Sequence, residues 1–442
     1  MKSFHGGIHP GDHKLETNRK PIVDLDAPDE LVFPLSQHIG APANPCVKPG
    51  DRVLMGQKIA ESNGFVSANI YSSASGTVKI IEKRLHPNGT SVMSIVIEND
   101  KLDEKANPLS GFNADYKKLS AKEIINLVRE AGIVGMGGAT FPTHVKLSVP
   151  DEAKIDYVII NGAECEPYLT SDHRAMLETP EEIIGGLKII MQVFGLKDGY
   201  IGVENNKSDA IEFLKKYSEK EKDVNIHIVT LKTKYPQGAE KQLINAVTGR
   251  KMPPGTLPWQ SGCIVNNIDT CASVYRAVVF GQPLISRIVT LGGTAIKNPM
   301  NYRVRIGTPF SYLIEHSGGL KDEACKILMG GPMMGLAVPN AEVPIIKGSS
   351  GIMVLNKESS LLSEESACIR CGKCVYACPM NLQPNLLDLE ARRNNFDALE
   401  KLNVLDCIEC GSCAFVCPSR RRQVQHVKVA KVKMRENAKK KE

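Results

Sequence analysis

The sequence predicts a multidomain α/β protein, and three observations carry that expectation. The first hundred residues are rich in Pro, Gly and short β-type runs, and the middle alternates apolar strand segments with amphipathic helical ones. Near the C-terminus, eight of the thirteen cysteines crowd between Cys368 and Cys417. At 442 residues, 42% hydrophobic and 24% charged, the chain has the length for about three domains and a globular composition.

Residues 1–112 form the first domain. Val47–Ile59 alternates apolar and turn residues as a strand–turn–strand unit does, and Tyr71–Ile81 reads as a second such unit. The pair resembles the barrel-sandwich fold of biotinyl and lipoyl carriers, which place a modified lysine at the hairpin between the units. Here that hairpin is Glu61-Ser62-Asn63-Gly64-Phe65, so a structural or docking role is expected, without a swinging arm.

The second domain, 113–285, opens with a capping box, Ser120 at the N-cap and Glu123 three residues on. Ile124, Leu127, Val128 and Ala131 share one helical face, and Gly132 ends the helix. Strands at 155–160, 200–204 and 226–231 alternate with helices at 208–216 and 240–247, which predicts a Rossmann-like, mostly parallel sheet covered on both faces. Residues 286–355 read as a strand and turn, a helix opened by Thr308 as N-cap with Pro309 at N1, and a return strand near 326–329. That order suggests a small β-grasp, SLBB-like domain. Residues 356–425 form an α-helical domain around the cysteines, and 426–442 a basic tail.

The formal charge of +6 is uneven. Arg420–Glu442 holds ten Lys/Arg against two Asp/Glu, so the rest sums to about −2. The tail suits an anionic lipid, an acidic protein or plain solvent. With 5% aromatic residues and no recognisable motif, nucleic acid is not an expected partner. No apolar stretch approaches the roughly 20 residues of a membrane span, and no apolar core of a signal peptide follows Met1. A cytoplasmic chain, held at a membrane by partners, is expected. The isolated Cys46, Cys165, Cys263, Cys271 and Cys325 are expected to be small buried residues.

The clustered cysteines form two Cys-x-x-Cys-x-x-Cys-x-x-x-Cys-Pro runs, Cys368, Cys371, Cys374, Cys378 and Cys407, Cys410, Cys413, Cys417. Zinc sites use spaced Cys-x-x-Cys hooks, whereas four cysteines in a dozen residues, twice over, suit two [4Fe–4S] clusters. In two-cluster ferredoxins the fourth cysteine of each run serves the other cluster. This assigns Cys368, Cys371, Cys374 and Cys417 to one, and Cys407, Cys410, Cys413 and Cys378 to the second. The 28-residue spacer between the runs is helix-rich, unlike that of compact bacterial ferredoxins.

Residues 132–146 bring Gly135, Gly137, Gly138, Phe141 and Lys146 together, a loop whose backbone N–H groups suit a phosphate or flat ring. Asn161-Gly162-Ala163-Glu164-Cys165-Glu166-Pro167 follows, then Tyr235-Pro236-Gln237-Gly238-Ala239-Glu240, then Asn266-Asn267-Ile268-Asp269-Thr270. In this order the motifs resemble the flavin- and NADH-binding subunit of respiratory complex I. The resemblance implies non-covalent FMN along Gly135, Gly137, Gly138 and Lys146, with hydrogen bonds from Asn161, Glu164, Asn266, Asn267 and Thr270. It also implies NAD(H) on Phe141 near Glu166 and Glu240, with Tyr235 and Gly238 in the same motif. Three positions depart from that family: Met136 replaces its arginine, Ala163 its aspartate and Ala239 a glutamate.

The four segments in order, with the opening Phe4-His5-Gly6-Gly7-Ile8-His9-Pro10, resemble the C subunit of the Rnf complex. That resemblance implies a peripheral subunit on the cytoplasmic face of a membrane-bound ferredoxin:NAD⁺ oxidoreductase that moves Na⁺ or H⁺. Its partners would be the integral-membrane subunits, NAD(H), and ferredoxin through another subunit. The chain would take electrons singly at its clusters and deliver them in pairs from FMN to NAD⁺, needing no catalytic acid or base. Cobalamin reductases share these modules but carry the barrel-sandwich segment C-terminally. A relay or docking subunit without nucleotide chemistry, motivated by Met136, Ala163 and Ala239, would lack flavin. A generic soluble NADH dehydrogenase would not co-purify with membrane proteins.

Overall fold

Alternation of apolar and polar residues builds the N-terminal part of the chain. The computed structural model describes residues 1–360 and 364–439. Strands β1 (Ile22–Asp24), β2 (Glu30–Pro34), β3 (Asn44–Pro45), β4 (Arg52–Val53), β5 (Lys58–Glu61), β6 (Ile70–Tyr71), β7 (Gly76–Leu85) and β8 (Ser91–Asn99) come first. Two small sheets, β2-β8-β7-β4 and β3-β5-β6, enclose Leu31, Phe33, Ile59, Ile95 and Ile97, the barrel-sandwich arrangement expected. Strand β1 leaves this domain and pairs in parallel with a strand near residue 302.

The flavin-type domain runs α1 (Ala121–Glu130), α2 (Thr143–Leu147), β9 (Tyr157–Gly162), α3 (Ser171–Glu178), α4 (Pro180–Val193), β10 (Asp198–Glu204), α5 (Ser208–Ser218), β11 (Asn225–Leu231), α6 (Glu240–Thr248), β12 (Cys263–Asn267) and α7 (Ile268–Phe280). Its sheet, β11-β10-β9-β12, is parallel throughout. The capping box forms as read, with the Ser120 hydroxyl accepting from Glu123 N–H and the Glu123 carboxylate accepting from Ser120 N–H. Helices α4 and α7 pack closely because Gly185 and Gly186 present no side chain. A Cβ on Gly186 would stand 1.9 Å from the Cys271 carbonyl oxygen.

Next come β13 (Ser286–Gly292), β14 (Met300–Arg305), α8 (Phe310–His316), β15 (Ala324–Met329), β16 (Leu336–Ala337) and β17 (Gly351–Asn356). They form a sheet ordered β1-β14-β13-β17-β15-β16 around Phe310, Leu313 and Ile314. Pro309 is the N-cap of α8 rather than its first residue; among the described residues the buried Thr308 hydroxyl has no partner and caps nothing. The C-terminal module follows as α9 (Lys357–Ser360), α10 (Lys373–Ala377), α11 (Pro384–Arg393), α12 (Phe396–Lys401), α13 (Ser412–Phe415) and α14 (Gln423–Lys439). Buried Asp388 on α11 accepts from Arg421 and His426 and so fastens α14. The basic segment is helical through Lys439, with Val427 and Ala430 in the module's core. Among the described residues no helix is long and apolar enough to cross a membrane.

Lys347 ties three of these domains together. Its Nζ donates to the carbonyls of Asn69 and Gly132, its N–H donates to the Gln37 side chain, and no carboxylate lies among those partners. Burial pushes its pKa down from 10.5 to about 7. The unfolded chain therefore holds more protons between pH 7 and 10, and this group's contribution to stability rises with pH there and is lost as pH falls through 7. The wild type should gain on Lys347→Met from pH 7 to 9 by up to about 1.4 kcal/mol per pH unit in chemical denaturation. A pH-independent difference between the two would contradict this origin.

Candidate functional site: a glycine loop beside a cysteine-lined cavity

The carboxyl ends of β9 and β12 meet the glycine loop, at the edge of a parallel sheet where ligands bind. The loop folds back on itself: Gly135 N–H donates to the Phe141 carbonyl at 2.8 Å, and Met136 N–H to the Thr270 hydroxyl at 2.9 Å. Gly137, at φ +84°, has Asn267 Nδ2 only 3.1 Å from the position of a Cβ, so a side chain there meets both strain and contact. Gly138 faces open space. Thr140, Glu164 and Tyr168 all hold positive φ, a concentration of backbone strain around one site.

Lys146 donates to the Val265 carbonyl at 2.9 Å and pairs with Glu240 at 3.2 Å. Asn161 donates to the Gly238 carbonyl at 2.8 Å, and Gly238 N–H points at Cys165 Sγ. Asn266 is 3% exposed, and its Nδ2 is buried without a partner among the described residues. A buried donor left open costs stability unless a ligand takes it. This orphan amide, the bare Gly138 backbone and the Lys146 cation fit the ring and phosphate of a flavin mononucleotide.

Glu164, Glu166 and Tyr235 also have partners within the protein. The Glu164 carboxylate accepts from Asp172 N–H at 2.7 Å and stands 3.9 Å from Lys14, so it closes the start of α3. Glu166 turns toward the β-grasp domain, accepting from Met333 and Met334 N–H at 3.0 and 2.9 Å; burial pushes its pKa up. Tyr235, 1% exposed, donates its hydroxyl to the Cys410 carbonyl at 2.8 Å. Sequence reasoning missed Lys14 and Lys207, buried lysines whose ammonium groups hold carbonyls of the 163–169 loop. It also missed Arg287, whose buried guanidinium lies against Met136 Sδ, the position where the resembling family carries its own arginine.

Behind Tyr235, a cavity is lined by Cys378, Cys407, Cys410 and Cys413, the fourth thiol of the first run with the first three of the second. The donor set and the enclosure suit a cubane. Burial pushes the Cys407 thiol up to about 11, and those of Cys378 and Cys413 also upward, so iron must displace protons to bind. Cys374 lies close enough to Cys417 for the two charges to repel, while Cys368 and Cys371 are exposed. Among the described residues no three His, Cys, Asp or Glu converge on one metal-ion position. The two runs share backbone geometry at a constant offset: positive φ recurs at Arg370 and Glu409, Gly372 and Gly411, and Asn381 and Arg420.

The opening segment joins both sites. Gly6 and Gly7, at φ +73° and +78°, are pressed against the Cys378 and Tyr235 carbonyls, and Gly7 N–H donates to Ala377 O at 2.9 Å. Gln242 Nε2 donates to Pro379 O at 3.1 Å. Of the isolated cysteines, Cys263 and Cys271 are buried as expected, and Cys165 packs half-buried with Tyr235, Met333 and Cys410. Cys46 and Cys325 are exposed, contrary to expectation: Cys46 directly follows the exposed strand β3, and Cys325 lies on an outward-facing side of β15.

Fold and site define a modular flavin and iron–sulfur electron carrier. Family profiles agree, matching a Nuo51 FMN-binding domain at residues 128–276, an RnfC barrel sandwich hybrid domain at 2–102, an SLBB domain at 288–337 and a 4Fe-4S dicluster domain at 367–421. The chain is 50% identical to the C subunit of the proton-translocating ferredoxin:NAD(+) oxidoreductase complex of Clostridium ljungdahlii, over 98% of this chain and 94% of that one. It is 47% identical to the Na(+)-translocating counterpart of Acetobacterium woodii, over 97% and 96%. A solved NAD+-reducing [NiFe]-hydrogenase, at TM-score 0.51 and 16% identity over 72% of this chain and 64% of that one, shares the fold. The chain belongs to the family of C subunits of ion-translocating ferredoxin:NAD⁺ oxidoreductase complexes.

Proposed function

We propose that this chain is the peripheral electron-transfer subunit of such a complex, on the cytoplasmic face of the membrane, exchanging electrons between ferredoxin-fed partner subunits and NAD⁺. Cys368, Cys371, Cys374 and Cys417 hold one [4Fe–4S] cluster, and Cys407, Cys410, Cys413 and Cys378 the second. Gly135, Gly137, Gly138, Lys146, Asn161, Glu164, Asn266, Asn267 and Thr270 hold FMN; Phe141, Glu166, Tyr235, Gly238 and Glu240 border the NAD(H) side. The cofactors supply the chemistry, one-electron transfer at the clusters and conversion between single electrons and hydride at FMN. The protein's residues bind, orient and exclude water.

One observation carries this reading: the Tyr235 hydroxyl on the Cys410 carbonyl joins the flavin-type domain directly to the cysteine-lined cavity. On this reading the second cluster is the one nearer the flavin. Anaerobic purification should yield about eight irons and one FMN per chain, with NADH:ferricyanide activity. Full iron without flavin or activity would support a relay subunit instead.

A further inference from the structure

The two cysteine runs are alike in backbone and unlike in what they show to solvent. In the second, Cys410 and Ser412 are buried and Glu409 pairs with Lys431 at 2.6 Å. In the first, Cys368 and Cys371 are exposed, with Ile369 68% and Tyr376 78% exposed beside them. Tyr376 lies against this loop: a Cβ on Gly372 would stand 3.5 Å from its ring. Two large apolar side chains in water, next to cysteines suited to a cluster, form an uncovered patch.

Charge follows the same division. Arg370 and Lys373 occupy the positions that Glu409 and Ser412 hold in the second run. Arg420 follows Cys417 closely, its N–H donating to the Cys417 carbonyl at 3.1 Å. All three cations are exposed, and among the described residues none forms an ion pair. Nearby acids are engaged elsewhere: Glu365 accepts from Arg392 and from Arg422 N–H, and Asp388 from Arg421 and His426. Glu364, exposed four residues before Cys368, is the acid that counts against them. Were these cations present only to offset a cluster's negative charge, the enclosed cluster would need them more, because screening is weaker there. That cluster has Lys431, neutralised by Glu409.

We propose that Ile369, Arg370, Lys373, Tyr376 and Arg420 form a docking face for an acidic protein domain that carries a one-electron centre near its own surface. An apolar centre within a cationic rim suits a brief encounter, the charges steering approach and the small contact allowing release. In each encounter one electron leaves the partner's reduced centre and enters the oxidised cluster of Cys368, Cys371, Cys374 and Cys417; no bond forms or breaks. An anionic lipid surface would satisfy the rim but has no electron to give, and a second copy of this chain would bring like charge. The inference rests on the cluster assignment of the proposed function.

The test uses the full chain with its clusters and FMN, mixed anaerobically in a stopped flow with a reduced acidic two-[4Fe–4S] ferredoxin as probe. The second-order rate of cluster reduction should fall about tenfold between roughly 50 and 500 mM salt. Arg370→Glu combined with Lys373→Glu should slow it about tenfold at the lower salt and flatten the salt dependence. Tyr376→Ala should slow it at both salts and keep the dependence. With photoreduced deazariboflavin, small and uncharged, every variant should react at the wild-type rate. A salt-independent wild-type rate would overturn the docking face and needs no variant to fold; so would equal slowing of both reductants by the charge reversal. Flotation with phosphatidylglycerol vesicles that the charge reversal abolishes, with ferredoxin rates unmoved, would assign the face to lipid and overturn it too. A wild-type chain lacking the paramagnetic signal of the cluster would instead overturn the cluster assignment.

Discussion

Cys378→Ser should lose the second iron–sulfur cluster and keep the first, lowering iron from about eight to about four atoms per chain. By sequence position Cys378 belongs to the first run, and a self-contained run would make the opposite result. The cavity favours the crossed assignment: Cys378 lines it with Cys407, Cys410 and Cys413. Cys417→Ser is the mirror experiment and should remove the centre formed with Cys368, Cys371 and Cys374. The low-temperature paramagnetic spectra of the two reduced variants should each show one centre, and not the same one. Identical residual spectra would break the crossed assignment. The Cys378 variant should also cut NADH-driven reduction of the surviving cluster far more than the Cys417 variant cuts reduction of its own, because the lost centre is the one joined to Tyr235.

Gly186→Ala should destabilise the flavin-type domain by at least about 3 kcal/mol, the upper end of what one added methyl costs in a packed interior. The added carbon would stand 1.9 Å from the Cys271 carbonyl oxygen, and backbone cannot swing aside as a side chain does. Helices α4 and α7 must then separate, which opens the core around Leu187 and Val274 and displaces the N-terminus of α7, where Asn267 and Thr270 lie. Weakened FMN retention should accompany the lowered unfolding midpoint. Gly195→Ala, in open space after α4, is a contrast; its cost should come only from its φ of +64°. Equal losses in the two variants would mean that the helix contact is not what Gly186 protects.

Some local signals were legible in the sequence, while the Thr308–Pro309 cap, also a short-range rule, was misread by one residue. The Ser120–Glu123 capping box is a four-residue event and forms as read. The alternation of strands and helices read between 155 and 247 suffices for a parallel sheet, with boundaries displaced by about two residues at Tyr157–Gly162, although the edge strand Cys263–Asn267 was not read. The cysteine spacing sufficed for two cubanes. What remained hidden depends on distant partners. Nothing around β1 announces that it pairs with β14, nearly 280 residues away. Lys14 and Lys207 look like surface lysines until carbonyls from another loop enclose them. For Glu166 and Tyr235 the motif could not show that their side chains reach Met333, Met334 and Cys410, which only the fold brings near.

The repeated left-handed turns at Arg370 and Glu409, and at Gly372 and Gly411, mean that the chain wrote one ligand loop twice. Twin loops carry no arrow: two like centres in like surroundings would share one potential, and charge would wander between them. Asymmetry enters from outside the loops. One twin is walled in by Tyr235 and the Lys431–Glu409 pair; the other lies open, with Ile369 68% and Tyr376 78% exposed. Burial and hydrogen bonding set cluster potentials, so the polarity of this wire is conferred by its socket. Cut free of the socket, the same polypeptide segment would conduct equally well both ways.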